Sequence, residues 1–388
     1  MRFPNFEKSW EKTYLSKYLT VSSLRNKDNT YTRNDVLSVS GELGIVNQIE
    51  LLGRSYAGES LLPYHIVEKD DVVYTKSPLA EYPYGIIKTN RIVPGIVSTL
   101  YAVYKSTTSS NNRFVEHYFS LKSRTNNYLK PIVRIGAKHD MKIGNEEVLK
   151  NYVVFPAVEE QTKIADFLDL IDERNTTQSK IIDKLKSQMN CIIDNIIDYS
   201  APQVQFKDLY TNAGEGGTPS TSNNLYYENG SIPFIKIEDL SNKYLNENNA
   251  FITEQGLKNS SAWIIPANSI IYSNGATIGR ISINTYPVCT KQGILGIIPS
   301  RIVLTEYLYY FLRSIYFRKQ VHRITVKGTM DCAYLKDLNF IKCYIPALER
   351  QEKIIKSLRC LDEKILLEET ILNKLKEQKK FLLSNMFI

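Results

Sequence analysis

With 388 residues and 43% hydrophobic side chains, the chain is too long for one small domain and apolar enough to build two or three cores, which excludes a disordered protein. Its 49 Lys and Arg against 41 Asp and Glu leave a net charge of +8, a mild lean toward a polyanionic partner such as nucleic acid. No run approaches the ~20 uncharged apolar residues of a membrane span, and the opening Met-Arg-Phe-Pro-Asn-Phe-Glu lacks the apolar stretch of a signal peptide.

The cysteines, Cys191, Cys289, Cys332, Cys343 and Cys360, form no C-x-x-C pair, so neither a zinc site nor a disulfide framework is expected. A soluble protein in a reducing, cytoplasmic setting fits these features, with no metal and no membrane partner.

In chain order, residues 1–155 read as a mixed α/β block. Strand-like runs occur at 71–75, 85–88 and 96–104, and a helix is expected over 114–122. Residues 156–200 are helical: Ile171, Ile182, Leu185, Met189, Ile192 and Ile196 recur at steps of three, four and seven, and the helix is expected to stop near Ser200-Ala201-Pro202. Residues 201–345 form a second mixed block, with strands at 269–273 and 278–283, a helix over 306–318 and glycine-rich turns at 214–219 and 273–277. Residues 346–388 are helical again, with Leu361, Ile365, Leu372, Leu375, Leu382 and Met386 on one stripe and Lys379 as its polar break.

The two helical segments are copies. Phe155-Pro-Ala-Val-Glu-Glu-Gln-Thr-Lys-Ile164 returns as Ile345-Pro-Ala-Leu-Glu-Arg-Gln-Glu-Lys-Ile354, an offset of 190 residues that holds for about forty positions, including Asp172-Glu173 on Asp362-Glu363. The chain is therefore two tandem halves, each a diverged block followed by a copied helix. Such stripes also suit core helices of an α/β domain. Their length and their recurrence at one register favour two helices paired as a coiled coil through Ile182, Leu185, Met189, Ile192, Ile196, Leu372, Leu375, Leu382 and Met386.

No catalytic constellation emerges. There is no G-x-x-x-x-G-K-[ST] loop, no G-x-S-x-G elbow, no H-E-x-x-H helix and no Asn/Asp-Pro-Pro-aromatic tetrapeptide of a base-flipping methyltransferase. His65, His117, His139 and His322 stand apart from one another and from the cysteines, so no catalytic residue is assigned. The 26 tyrosines often adjoin Lys, Arg or Asn, which suits phosphate and base contacts as well as the wet edge of a core.

The duplicated array, Pro156 with Glu159-Glu160-Gln161-x-x-Ile164 and Asp172-Glu173, then Pro346 with Glu349-Arg350-Gln351-x-x-Ile354 and Asp362-Glu363, resembles the specificity subunits of Type I restriction–modification enzymes. Gly216-Gly-Thr-Pro-Ser220, Ile232-Pro-Phe-Ile235, Ser269-Ile-Ile-Tyr-Ser273, Gly328-Thr-Met330 and the opening Arg2-Phe-Pro-Asn-Phe with Trp10-Glu11 add to the resemblance. Arg350 departs from the usual second acid and is read as surface variation.

The resemblance implies an α+β (mixed α/β) fold of two tandem target recognition domains, joined by two long antiparallel helices with pseudo-two-fold symmetry. It implies a non-catalytic chain in which each domain reads one half of a bipartite double-stranded DNA site and the helices set the gap. Two methyltransferase subunits would dock on those helices and restriction/motor subunits would complete the assembly. S-adenosylmethionine, ATP and Mg would bind those partners and not this chain. Other readings are a scaffold that does not bind DNA and a two-domain DNA-binding regulator.

Base edges are read by Arg, Lys, Asn, Gln and small hydroxyls on loops that flank strands. By that criterion the candidates are Lys76, Arg91, Lys138 and His139 in the first block. In the second they are Thr218, Ser220, Asn274, Thr277, Lys291, Gln292, Lys327 and Thr329.

Overall fold

Both copied segments form helices longer than their apolar stripes imply. In the computed structural model, which describes residues 2–79, 81–135, 141–328 and 331–387, they span Val158–Asp194 and Leu348–Asn385. At 1.5 Å per residue each is about 55 Å long. The starts are equivalent, two residues after Pro156 and Pro346, with Glu159 and Glu349 in first turns that favour negative charge. The first helix stops at Asp194, ahead of the Ser200-Ala201-Pro202 stop read from sequence. Asn195 folds its amide back onto the Cys191 carbonyl, 2.8 Å away, and Ile196 turns into the core with 4% of its surface exposed.

The chain divides into two compact units, and each draws on both long helices. One comprises Met1–Ser179 with Thr370–Ile388, the other Lys180–Glu369. The helical segments are thus shared between the units and form no body of their own.

In the first unit, Glu11–Tyr14 pairs antiparallel with Tyr152–Phe155 and closes the block just before its long helix. A four-stranded antiparallel sheet follows the order Leu19–Val21, Tyr101–Ser106, Val72–Thr75, Ile87–Thr89. The apolar run 96–104 is therefore two strands, Gly95–Val97 and Tyr101–Ser106, broken by a turn in which Tyr101 bonds back to Ser98. Two helices, Asn112–Tyr118 and Lys122–Leu129, occupy the region where one was expected. Phe114, Tyr118 and Phe155 meet Leu382, Leu383, Met386 and Phe387 of the second long helix in one core.

The second unit repeats this plan. Gln203–Gln205 pairs antiparallel with Lys342–Tyr344, again closing the block before its helix. The sheet runs Tyr210–Glu215, Ile294–Pro299, Ile270–Ser273, Ile281–Asn284, which is the order of the first sheet, and adds Tyr244–Leu245 in parallel at one edge. The helices Thr305–Arg313 and Ile315–Ile324 follow. The two blocks are copies of one fold, although their sequences scarcely match.

Within the second unit the two helical stretches run antiparallel. Lys186 pairs with Glu369 at 2.6 Å, while Arg350 meets Asp198, just past the end of the first helix, at 3.3 Å. In the first unit Lys379 pairs with Asp172, so the polar break in the stripe is an ion pair between helices. Ile182, Leu185, Met189, Leu375, Leu382 and Met386 are buried and Leu372 is half-buried. Ile192 is 39% exposed, and Ile193, at 1%, takes the inward place because Leu185, Met189 and Ile193 follow steps of four. Leu185, Met189, Ile193 and Ile196 share a core with Phe206, Leu209 and Phe311, so the stripe packs on the globular block as well as on the other helix.

Candidate nucleic-acid interface

The helix Ile315–Ile324 turns Phe317 and Val321, one turn apart, into the core, and leaves Arg318, Lys319, His322 and Arg323 exposed. Ser314 caps it by accepting the Phe317 N–H at 3.2 Å. Opposite lies the loop between the strands Ile270–Ser273 and Ile281–Asn284. Ser273 fixes that loop, since its hydroxyl donates to the Thr277 carbonyl at 2.5 Å and accepts the Arg280 N–H at 2.9 Å. Ala276 and Gly279 take left-handed φ values of 51° and 96°, which a tight reversal requires.

Loop and helix enclose a cleft of about 480 Å³ lined by Tyr272, Ile278, Arg280, Arg318 and His322, with Asp331 at its margin. The Arg280 guanidinium holds one backbone carbonyl, that of Ile237, at 3.3 Å. Arg318 stays 62% exposed beside Asp194, 3.9 Å away. Such a cleft, with cationic rims and an exposed loop, can follow a phosphate backbone. Sequence reasoning missed Arg280, Arg318 and His322. The signal was present in Arg318-Lys319 and His322-Arg323, two exposed basic pairs on a helix whose other face is apolar.

The residues selected from sequence fall into three groups. Thr277, Lys291, Gln292, Lys327 and Ser220 are exposed, and Thr218 is half-buried with its hydroxyl 3.4 Å from the Gln292 N–H. Thr218 and Gln292 thus lie side by side. They follow Gly216, where a Cβ would come within 2.0 Å of the Thr290 carbonyl oxygen, so only glycine permits that approach. Lys138, His139 and Thr329 lie outside the described residues.

The third group is committed to structure. Asn274 is fully buried, takes the Ala333 N–H on its own carbonyl at 2.8 Å and sends its amide to the Ala333 carbonyl at 3.3 Å. This removes it from the reach of a ligand. Lys76 is half-buried and donates to Asn145 at 2.5 Å.

Arg91 is held at 2.7 Å by both Glu116 and Asp169, which engage its Nε and Nη1 and leave the side chain 35% exposed. Asp169 also receives Arg113 and His117, each at 2.8 Å. Burial alone would raise the pKa of Asp169, but the His117 hydrogen bond and the Arg91 charge override it and hold the carboxyl well below the usual range. His117, Asp169 and Asp172 bring ligand atoms within 4.8 Å of one another, yet Asp169 is already saturated by cationic side chains.

Ten of the 26 tyrosines are buried in the core. Tyr74, Tyr104 and Tyr128 are buried and spend their hydroxyls on the carbonyls of Tyr84, Asn145 and Val148. No helix among the described residues is long and apolar enough to cross a membrane.

Comparison with known proteins agrees with this architecture. Residues 203–377 match the family described as the Type I restriction modification DNA specificity domain. The chain is 27% identical over 214 residues to the Escherichia coli Type I restriction enzyme EcoR124I/EcoR124II specificity subunit, a match covering 52% of each chain. It is 33% identical over 164 residues to the MjaIX specificity subunit of Methanocaldococcus jannaschii, covering 42% of this chain and 38% of that one. The chain thus spans about half the length, or less, of these curated relatives.

Among solved structures, a chain of a type I R-M system is 14% identical, covers 97% of both chains and superposes with a TM-score of 0.61. The Type I restriction-modification S subunit of M. genitalium, also 14% identical, covers 100% of this chain and 98% of that one with a TM-score of 0.55. These two establish a common fold of two mixed α/β blocks with long helices. With its duplicated blocks, each closed by a strand pair ahead of a copied helix, the chain resembles the Type I restriction specificity subunits, and its residues 203–377 match their DNA specificity domain.

Proposed function

We propose that this chain is the DNA-reading subunit of a multisubunit restriction–modification enzyme and performs no chemistry itself. Each block reads one half of a bipartite double-stranded site. The long helices set the gap between the halves and dock two methyltransferase subunits, and restriction/motor subunits complete the assembly. S-adenosylmethionine, ATP and Mg act on those partners.

The observation that carries this reading is the duplication itself: two blocks with one strand order, each followed by the same helix start. Two reading heads of one design suit a target of two half-sites. Helices of about 55 Å exceed one turn of B-DNA, ~34–36 Å, and so are long enough to span a gap. The cleft between Arg280 and Arg318, with Thr277 on its loop, supplies a backbone-tracking surface beside an exposed reading loop.

Co-expression with a Type I methyltransferase subunit, followed by genome-wide mapping of N6-methyladenine, tests the reading. A single split motif that depends on this chain supports it. A stable complex with no new methylated motif would sink it in favour of a scaffold, and tight specific binding by the chain alone would favour a regulator.

A further inference from the structure

The copied helix starts keep most of their charges. Glu159 and Glu349, Lys163 and Lys353, Asp172 and Asp362, and Glu173 and Glu363 agree in sign at the offset of 190. Three positions reverse: Glu160, Asp166 and Asp169 in the first helix become Arg350, Lys356 and Arg359 in the second.

In the first unit these three meet cations from their own block and the segment leading into it. Glu160, only 2% exposed, takes a bidentate pair of bonds from Arg2 at 2.8 Å, and Arg113 reaches Asp166 and Asp169 at 2.8 Å each. In the second unit the polarity is inverted. Arg350 pairs with Asp198 of the segment leading into the second block, and Arg359 pairs with Glu306, while Lys356 lines the same groove as Glu306.

The block residues are equivalent as well. Arg113 and Glu306 each stand two residues after the cap of the helix that follows the sheet, at Asn111 and Leu304. Those two cap residues are fixed to the long helices by the same contact, a backbone N–H given to Gln161 and to Gln351. Arg350 is therefore matched to its partner and is not arbitrary surface variation.

We infer that the inverted ion pairs are a key that fits each globular block to its own helix start and disfavours the exchanged arrangement. Were the second block seated on the first helix, Glu306 would face Asp166 and Asp169. Were the first seated on the second, Arg113 would face Lys356 and Arg359. Like charges at these distances are destabilising, most where burial limits screening, as at Glu306, which is 17% exposed. Asp172 and Asp362 keep their sign because each meets a lysine, Lys379 of the other long helix and Lys243 of the second block, so the reversal is confined to positions 160, 166 and 169 and their equivalents. The inference concerns assembly of the chain and holds whether or not the blocks read DNA.

A charge-exchange cycle in the full-length protein tests it. Glu306→Lys and Arg359→Glu are made singly and together, and thermal unfolding is followed. Each single variant is expected to lower the midpoint of the affected transition by about 2–4 °C, and the double variant to lose clearly less than the sum of the two, the part of the loss that remains reflecting Lys243, which also pairs with Glu306 at 3.0 Å. Losses that merely add would overturn the key.

A second variant addresses exchange directly. In a full-length chain with its two blocks interchanged, the midpoint should fall, and Asp166→Lys, Asp169→Arg, Lys356→Asp and Arg359→Asp should raise it again. An interchanged chain as stable as the original, or one made worse by the four changes, would also overturn it. Should the interchanged chain fail to fold with either set of charges, the charge-exchange cycle decides.

Discussion

The side-chain oxygen of Gln161 accepts the backbone N–H of Asn111 at 2.9 Å, at a point where the loop entering a block helix crosses the start of a long helix. The same glutamine donates to the carbonyls of Ser109 and Pro156, at 3.0 and 2.9 Å. Gln351 reproduces all three bonds with Leu304, Ile302 and Pro346 at 2.8–2.9 Å. Both glutamines are fully buried. Their carboxamides alone, among common side chains, offer one acceptor and two donors in a plane of this reach.

Replacing either glutamine by alanine leaves backbone groups without partners in a dry site. Gln161→Ala is expected to cost about 2–4 kcal/mol in the first unit, and Gln351→Ala a similar amount in the second. Denaturant unfolding of the full chain should show the two variants depressing different transitions. Glutamate at either place keeps the acceptor, loses both donors and buries a charge, so its cost should be the larger.

His65 gives the first unit a pH dependence. Burial, with the charges of Arg25 and Lys76, lowers its pKa from the ordinary 6.5 to about 4. Between those values the unfolded chain binds a proton that the folded one refuses, so stability falls as pH drops below 6.5. The loss should reach about 2 kcal/mol by pH 5, before carboxylates titrate. His65→Gln should flatten unfolding free energy over that window. An unchanged slope would count against this role for His65.

If the proposed role of the cleft holds, Arg280→Ala and Arg318→Ala each weaken DNA binding on every sequence alike and reduce the salt slope by about 1. Thr277→Ala and Gln292→Ala should instead relax one half-site, by roughly 1–3 kcal/mol. A salt titration of affinity on matched and mismatched duplexes separates the two patterns.

Phe387 joins the aromatic core of the first block, with ring centroids 5.4 Å from Phe114 and 5.6 Å from Tyr118. Phe387→Ala should destabilise that unit by about 3–5 kcal/mol. In calorimetry the transition of the first unit should move, while that of the second unit stays in place.

The helices and their shared register were legible because the copied segments retain their sequence; Gln161 and Gln351 stood out as repeated, but their burial and their bonds to the block did not. Inward faces were legible only to within a position, since 3.6 residues per turn let Ile193 replace Ile192. That the blocks are diverged copies was legible where Val72–Tyr74 matches Ile270–Tyr272; their common strand order was not, because matched apolar runs do not say which strands pair. The sign reversals at 160, 166 and 169 are visible in sequence. Their meaning was not, because Arg113 and Glu306 lie 193 residues apart while their partners lie 190 apart. The burial of Asn274 and the ion pairs of Arg91 could not be read from sequence, because their partners Ala333, Glu116 and Asp169 lie far along the chain.

Residues 382–387 finish a core whose other walls belong to residues 10–168. The first block is therefore synthesised before the second and completed only after it. Through the whole synthesis of the second block, the apolar ground around Phe114, Phe155 and Leu168 stays open, and only the last turns of the second long helix close it. A nascent chain of this design depends on the speed of its own elongation or on a chaperone's cover. Damage to residues 382–387 would be felt in the first block, more than two hundred residues upstream.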